Sequence, residues 1–146
     1  MKRNFLYSLA VVLLIIASSC EEVRNKPGEV SSLEGEWTVK ENSEKFKSRH
    51  ATYNVYISLS ADDSTRISIS NFYHMGYDNE IIGTVDGNRI ELPSGQEMTM
   101  VQSVYVLLSG VGNISSDYQS ISWQYEIDDG SGTVDHVTAT YTRVTK

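Results

Sequence analysis

The eight residues from Ser120 to Ile127 read Ser-Ile-Ser-Trp-Gln-Tyr-Glu-Ile, and they decide the fold. Large apolar side chains alternate with polar ones at every second position: Ile121, Trp123, Tyr125 and Ile127. A period of two is typical of a β-strand with one face buried. We therefore predict a strand here, with these four side chains pointing inward and Ser122, Gln124 and Glu126 pointing outward.

The same period continues in both directions along the chain. Arg89–Leu92 and Glu80–Val85 flank Asp86-Gly87-Asn88, and they predict a hairpin. Further strands are predicted at Glu36–Lys40, Thr52–Ser60, Thr65–Asn71, Met98–Leu108, Thr133–Val144 and, as a short piece, Gly112–Ser115. Only Asn42–His50 could form a turn or two of helix. Eight or nine short strands predict an all-β domain, a single antiparallel up-and-down β-barrel of about eight strands, with a sandwich as the alternative.

Composition limits the class of protein. The chain has 146 residues, 12 basic and 19 acidic side chains, a net charge of −7 and one Cys. This length suits one domain with a short appendage. Phosphate binding depends on clustered Lys and Arg, so a net negative charge argues against a nucleic-acid partner.

The N-terminus has the pattern of an export signal. Met1–Asn4 is positively charged, and Phe5–Ala17 is apolar except for Ser8. Thirteen residues of helix cover about 20 Å, which is shorter than a bilayer core of about 30 Å. A buried core helix is the alternative, but the run is apolar on every side and polar chain follows it. We predict a signal peptide over residues 1–19.

The residues Ala17-Ser18-Ser19-Cys20 place the chain's only Cys after small side chains. This stretch resembles the lipobox of bacterial lipoproteins, although Leu is most common where Ala17 stands. The resemblance implies cleavage before Cys20, a diacylglyceryl group on its sulfur and acylation, for example with palmitate, of its amine. Two or more acyl chains anchor a protein stably. The resemblance thus implies a lipid-anchored protein of the Gram-negative outer membrane, periplasmic or surface-exposed, with the membrane as a partner.

Polar residues with Pro27 and Gly28 follow, and they predict a tether over residues 20–32 before a domain over residues 33–146. Gly35 and Trp37 open this domain, and Arg143 stands near its end in Ala-Thr-Tyr-Thr-Arg. These three residues resemble the signature of the lipocalin-like, or calycin, barrel. In that family the Trp plugs the closed end and the Arg packs across its indole. The alternative is that Trp37 is simply a core aromatic.

The sequence shows no constellation for catalysis, a metal or a cofactor. His50, His74 and His136 each stand alone, without the spacing of zinc ligands. Asp128–Asp135 combines acidic residues and glycines and could wrap calcium, but hairpin turns are rich in the same residues. We expect a protein without catalytic residues, metal ligands or cofactor.

Aromatic residues are the most informative candidates for binding. Phe72-Tyr73-His74-Met75-Gly76-Tyr77 is an apolar stretch between two predicted strands. Phe72, Tyr73 and Tyr77, with Tyr125 from the strand quoted above, are predicted ligand contacts at the mouth of the barrel. The alternative is that this loop folds inward and caps the barrel.

Two functions from different classes follow. The first is a binding module for a small apolar molecule or a glycan. The second is a ligand-free structural or interaction subunit with an envelope protein as its partner. Cavity volume discriminates them, because an apolar pocket above about 300 Å³ favours binding and a packed interior favours interaction.

Overall fold

A computed structural model describes residues 30–46 and 52–145. Nine strands account for most of this part of the chain. Their bounds are β1 Gly35–Ser43, β2 Thr52–Leu59, β3 Arg66–Ser70, β4 Glu80–Asp86, β5 Arg89–Leu92, β6 Gln96–Met100, β7 Ser103–Ile114, β8 Ser120–Asp128 and β9 Val134–Arg143. A 3₁₀ turn, Phe72–His74, lies between β3 and β4.

All strand pairs are antiparallel. Paired strands are neighbours in the chain, except for the pairs β1–β9 and β5–β7. The order is β5-β4-β3-β2-β1-β9-β8-β7-β6, and β5 also pairs with β7. This last pairing closes eight strands into a barrel and leaves β6 as one extra strand. The predicted up-and-down barrel is confirmed, and its architecture is consistent with a lipocalin-like barrel. The alternation in β8 is also confirmed, since Ile121, Trp123, Tyr125 and Ile127 are all buried.

The predicted strand Met98–Leu108 differs from the structure, which has a hairpin there. β6 ends at Met100 and β7 begins at Ser103, with Met100 paired to Ser103. Val101 in the turn has a φ of 54°, a left-handed conformation that β-branched residues rarely adopt. No Gly or Asn marks this turn, so the sequence pattern runs through it without a visible break.

Strands β4 and β6 are connected by hydrogen bonds between side-chain amides and the backbone, rather than by backbone–backbone pairing. The amide of Gln96 accepts from the N–H of Ile82 at 2.7 Å and donates to its carbonyl at 2.9 Å. Asn79 bridges to Thr99 in the same way, at 2.7 and 3.0 Å. These two amides satisfy edge groups of both strands that would otherwise lack protein partners.

Side chains fill the interior of the barrel. Buried Ile, Val, Leu, Met, Trp and Tyr residues from all nine strands form one core cluster. Two inward positions of β7 are glycines, and a Cβ on Gly110 or Gly112 would lie 2.8 Å from Leu92 or Trp123. Large neighbours therefore occupy the space that side chains of β7 would need. Val30 is also buried, so packing begins before residue 33.

The predicted signal peptide, Cys20 and most of the predicted tether lie outside the described residues. Within those residues, no helix combines the length and the apolar character needed to cross a bilayer.

Candidate functional site

One end of the barrel is closed by Trp37 and Arg143. The indole is fully buried, and its Nε1 donates to the carbonyl of Leu33 at 3.0 Å. The guanidinium carbon of Arg143 lies 4.5 Å from the centroid of the Trp37 ring. Its Nη1 and Nε donate to the carbonyls of Glu34 and Tyr118. The three signature residues thus meet, since a Cβ on Gly35 would lie 3.3 Å from Arg143 Nη1.

The opposite end is plugged by the loop between β3 and β4. Phe72 and Tyr73 are both fully buried, and the Phe72 ring lies 4.6 Å from that of Tyr125. Asn71, Tyr73 and His74 all have φ between 53° and 61°, which turns the chain sharply enough to send both aromatic side chains into the barrel. This loop is the plug of the barrel.

The expectation that Phe72 and Tyr73 are exposed at the mouth of the barrel is wrong, because the plug folds inward, which was the alternative interpretation, and makes both of them core residues. Tyr125 points inward, as its strand pattern predicts, and is also a core residue. Tyr77 alone of the four is exposed, at 57%. The structure leaves Tyr77 as the one predicted contact that solvent reaches.

A buried carboxylate holds the plug in place. Asp135 is 2% exposed and accepts three hydrogen bonds. The Tyr73 hydroxyl donates to it at 2.7 Å, the Ser43 hydroxyl at 2.6 Å and the Lys45 N–H at 3.0 Å. These donors come from the plug and from the end of β1, so Asp135 fastens both to β9. Three donors on one carboxylate compensate for its burial.

A second buried carboxylate, Glu41, lies deeper in the barrel. The hydroxyls of Tyr53 and Tyr125 both donate to its Oε2 at 2.5 Å. Burial, with nearby Tyr141 and Glu41, raises the pKa of Tyr53 far above its usual range. Burial likewise raises the pKa of Tyr125 and of Tyr141. The raised pKa values favour the neutral form of these three phenols.

Two buried donors of neighbouring rings have no hydrogen-bond partner among the described residues. They are the hydroxyl of Tyr141 and the indole Nε1 of Trp123, whose rings lie 5.4 Å apart. Both side chains are at most 1% exposed. Buried donors are usually paired with protein or water, so these two are exceptions in this core.

The loop that suggested calcium contains a lysine ammonium instead. Lys45 Nζ lies 2.6 and 2.7 Å from the two carboxylate oxygens of Asp129. It also donates to Ser131 Oγ at 2.5 Å and to the Thr133 carbonyl at 3.1 Å. The hydrogen bond from Lys45, followed by that from Ser131, lowers the pKa of Asp129 to about 2. The oxygens of this turn thus converge on a side-chain cation.

A depression on the outer surface contains exposed aromatic rings. Its lining consists of Gly35, Glu36, Tyr56, Tyr77, Arg143 and Val144, around a volume of about 400 Å³. Tyr56 is 42% exposed, and Tyr77 donates to the carbonyl of Asn54 at 3.2 Å. This hydrogen bond lays the Tyr77 ring along the outside of β2. We call this site the aromatic depression.

A larger polar surface covers the outside of β1, β9, β8 and β7. Strand pairing arranges it as three rows across the four strands: Lys40, Thr140, Ser122 and Asn113; Asn42, Thr138, Gln124 and Val111; Glu44, His136, Glu126 and Ser109. Two adjoining grooves of about 320 and 330 Å³ run over it and share Asn42, Gln124 and Thr138. We call these twelve positions the polar grid.

The described histidines do not form a metal site. The His74 ring stacks on Tyr53 at 4.7 Å, and His136 Nδ1 lies 3.1 Å from a carboxylate oxygen of Glu126. Among the described residues, no three His, Cys, Asp or Glu side chains come together as metal ligands would. His50 lies outside the described residues.

Sequence reasoning missed Tyr56, Glu41 and Asp135. Glu41 could have been found from the sequence, because it lies two residues after Val39 and four after Trp37, on the inward face of β1. An acidic residue at an inward position needs a buried partner. Tyr56 stands on the polar face of β2, where one exposed ring is ordinary, and only the fold brings Tyr77 beside it.

Comparison with known protein families and with curated proteins gives no match to this chain.

Proposed function

We propose that this protein is a lipid-anchored lipoprotein of the bacterial outer membrane whose barrel binds a glycan on its outer face, at the aromatic depression. The observation that carries the proposal is the pair of exposed tyrosines, Tyr56 and Tyr77, lining a depression of about 400 Å³. A tyrosine ring offers an apolar face to the C–H groups of a sugar and a hydroxyl to its polar groups.

Polar groups around the two rings suit the hydroxyls of a sugar. Glu36 lines the depression, and its carboxylate accepts from the Asn54 amide at 2.9 Å. An Asn–Glu pair held in this way presents a fixed acceptor beside the rings. Apolar rings with a few fixed polar groups are the usual composition of a small-ligand site.

The filled interior favours the outer face over the inside of the barrel. A small apolar ligand inside would have to displace Phe72 and Tyr73 and break the hydrogen bond from Tyr73 to Asp135. Native mass spectrometry of the purified lipoprotein should therefore show no co-purifying apolar molecule. A stoichiometric apolar adduct would contradict this placement of the site.

Glycan binding can be measured with the mature lipoprotein in detergent. Isothermal titration with cellohexaose, maltohexaose, laminarihexaose and xylohexaose should find at least one binder. Tyr77→Ala should weaken its affinity by about tenfold, the effect of losing one stacked ring. The matched control is Tyr77→Phe, which keeps the ring and should retain affinity within about threefold.

Two results would contradict the glycan proposal: binding of none of the four sugars, or equal affinity of the Tyr77→Ala variant. Because Tyr77 is exposed, its replacement should leave the thermal midpoint nearly unchanged, which separates lost binding from lost folding.

The second candidate function is a ligand-free interaction subunit of an envelope complex. The packed interior favours it, because a barrel whose described interior is filled by side chains can still present its loops and outer face to a protein. A photo-crosslinking amino acid at position 77 of the anchored protein would then form one dominant adduct with an envelope protein. Sugar binding without such an adduct would favour the glycan function.

The anchor itself rests on Cys20. Cells grown with an alkyne-bearing palmitate analogue should label the wild-type protein and not the Cys20→Ser variant. The wild type should also fractionate with the outer membrane, because the acyl chains hold it there. A wild-type protein that carries no label would contradict the lipoprotein assignment.

A further inference from the structure

We propose that the glycan is an extended, uncharged chain that continues from the aromatic depression along β1 and over the polar grid. This inference rests on the proposed function and specifies the ligand as a neutral oligosaccharide rather than a single sugar. Its basis is the continuity of the two surfaces, the free hydrogen-bonding groups of the grid and the small charge of the grid.

The outward side chains of β1 connect the two surfaces. Glu36 lines the aromatic depression, Lys40 and Asn42 belong to the polar grid, and Thr38 stands between them on the same face. Strand residues advance about 3.3 Å each, so Glu36 and Asn42 are about 20 Å apart along the strand. A ligand that crosses both surfaces must therefore be a chain of several units.

The polar grid offers hydrogen-bonding groups that the protein itself does not use. Its first two rows carry seven polar side chains, all exposed and without a side-chain hydrogen bond to the described residues: Lys40, Thr140, Ser122, Asn113, Asn42, Thr138 and Gln124. Amides and hydroxyls both donate and accept, as the hydroxyls of a sugar do. Each of these side chains can therefore exchange a hydrogen bond with a hydroxyl of a polyhydroxylated ligand.

The polar grid carries little net charge. With histidine counted as neutral, Lys40 is its one basic side chain, and Glu44 and Glu126 are its two acidic ones. His136 Nδ1 lies 3.1 Å from Glu126, which also accepts from Ser109. A surface with a net charge of −1 has little attraction for an anionic or a cationic polymer, so an uncharged chain fits it best.

The grid also lacks the groups that anchor protein partners. Val111 is its only apolar side chain, and it has no Trp, Tyr, Phe, Met or Arg. Stable protein interfaces usually have such residues at their centre. A glycan is therefore the occupant that this surface favours, and a protein partner is an outcome that the test can reveal.

Chain length provides the test. The tri- and hexasaccharides of the four linkages named above are titrated into the mature lipoprotein. The hexasaccharide that binds should have at least tenfold higher affinity than its own trisaccharide. The double variant Asn42→Ala/Gln124→Ala should remove this gain of about tenfold and leave trisaccharide affinity unchanged, because two hydrogen bonds are lost only from the longer ligand.

Two controls separate the grid from the depression. Tyr77→Ala should weaken both ligands, whereas Gln102→Ala, an exposed amide on the far hairpin, should change neither. Affinity should differ by less than about twofold between about 50 mM and about 500 mM NaCl, since an uncharged ligand is not subject to screening.

The outcomes distinguish the two proposals. Equal affinity for tri- and hexasaccharide, or no effect of the double variant, would overturn the extended-chain inference while the aromatic depression stands. Binding of no sugar would overturn both. A double variant that binds sugars normally but loses a specific crosslink to an envelope protein would assign the grid to a protein partner instead.

Discussion

At one end of the barrel Trp37 lies beneath the guanidinium of Arg143, and at the other end Phe72 and Tyr73 enter from a loop and are fastened to Asp135. Both ends exclude water with buried aromatic rings. The Trp37 end is part of the strands and depends on apolar burial. The plugged end is a separate loop with three non-glycine residues of positive φ, and besides its buried rings it has a hydrogen bond from Tyr73 to a buried acid.

This difference between the two ends bears on which end of the barrel can open locally. A strand end that is buried with the core can open only when the core unfolds. The plug is a loop outside the strands, so its opening would break no strand pairing but would expose the buried rings of Phe72 and Tyr73. The four predictions below, from the largest effect to the smallest, test this contrast.

Trp37→Ala should lower the free energy of unfolding by about 3–5 kcal/mol, because it removes a fully buried indole. Chemical denaturation measures the change. If the variant does not fold, Trp37→Phe keeps a ring, loses the hydrogen bond to Leu33 and should cost about 1 kcal/mol or more. A loss below about 1 kcal/mol for Trp37→Ala would show that this end does not depend on burial.

Tyr73→Phe should cost about 2 kcal/mol, because it removes a hydrogen bond to a buried carboxylate and leaves the ring in place. The matched control is Tyr141→Phe, because the Tyr141 hydroxyl has no hydrogen-bond partner in the described part of the chain, and this change should cost less than about 0.5 kcal/mol. Hydrogen exchange should increase in residues 71–79 of the Tyr73→Phe variant. Equal costs for the two variants would contradict the role of Asp135 as the fastening group.

Arg143→Lys should cost about 1 kcal/mol. Lysine keeps a cation near Trp37, but it cannot reproduce both donors, to Glu34 and to Tyr118. Hydrogen exchange should increase in the segments around Glu34 and Tyr118, at the closed end of the barrel, and remain unchanged in the plug. Faster exchange in the plug would show that the two ends are coupled.

Asp129→Asn should have the smallest effect, and its effect should depend on pH. Folding lowers the pKa of Asp129 from 3.8 to about 2, through Lys45 first and Ser131 second. The stabilisation is therefore complete well above pH 3.8 and is lost as the pH falls through about 2. The difference in unfolding free energy between wild type and variant should be constant from pH 7 to about pH 5 and smaller at about pH 2.5. A difference independent of pH would contradict the pairing with Lys45.

Much of the barrel could be predicted from the sequence, because the period of two reports directly which face of each strand is buried. The inward positions of β8 follow from this period alone. The β6–β7 hairpin could not be predicted, because Val101 occupies a left-handed turn position that Gly or Asn usually marks.

The binding surfaces were less predictable than the strands. Tyr77 is exposed as a ligand contact should be, but Phe72, Tyr73 and Tyr125 are buried in the core. An apolar run between strands has the same composition whether it faces solvent or enters a barrel. The direction of this loop depends on Asp135, which is 62 residues away from Tyr73 along the chain.

The sequence by itself determined the strand period, the aromatic residue of the first strand and the basic residue of the last, because these depend on local alternation and position. Only the tertiary structure decided that the loop fills the barrel, that Tyr56 and Tyr77 share a depression and that polar side chains of four strands align in rows. Each of these depends on register and closure, which bring together residues that local pattern cannot relate.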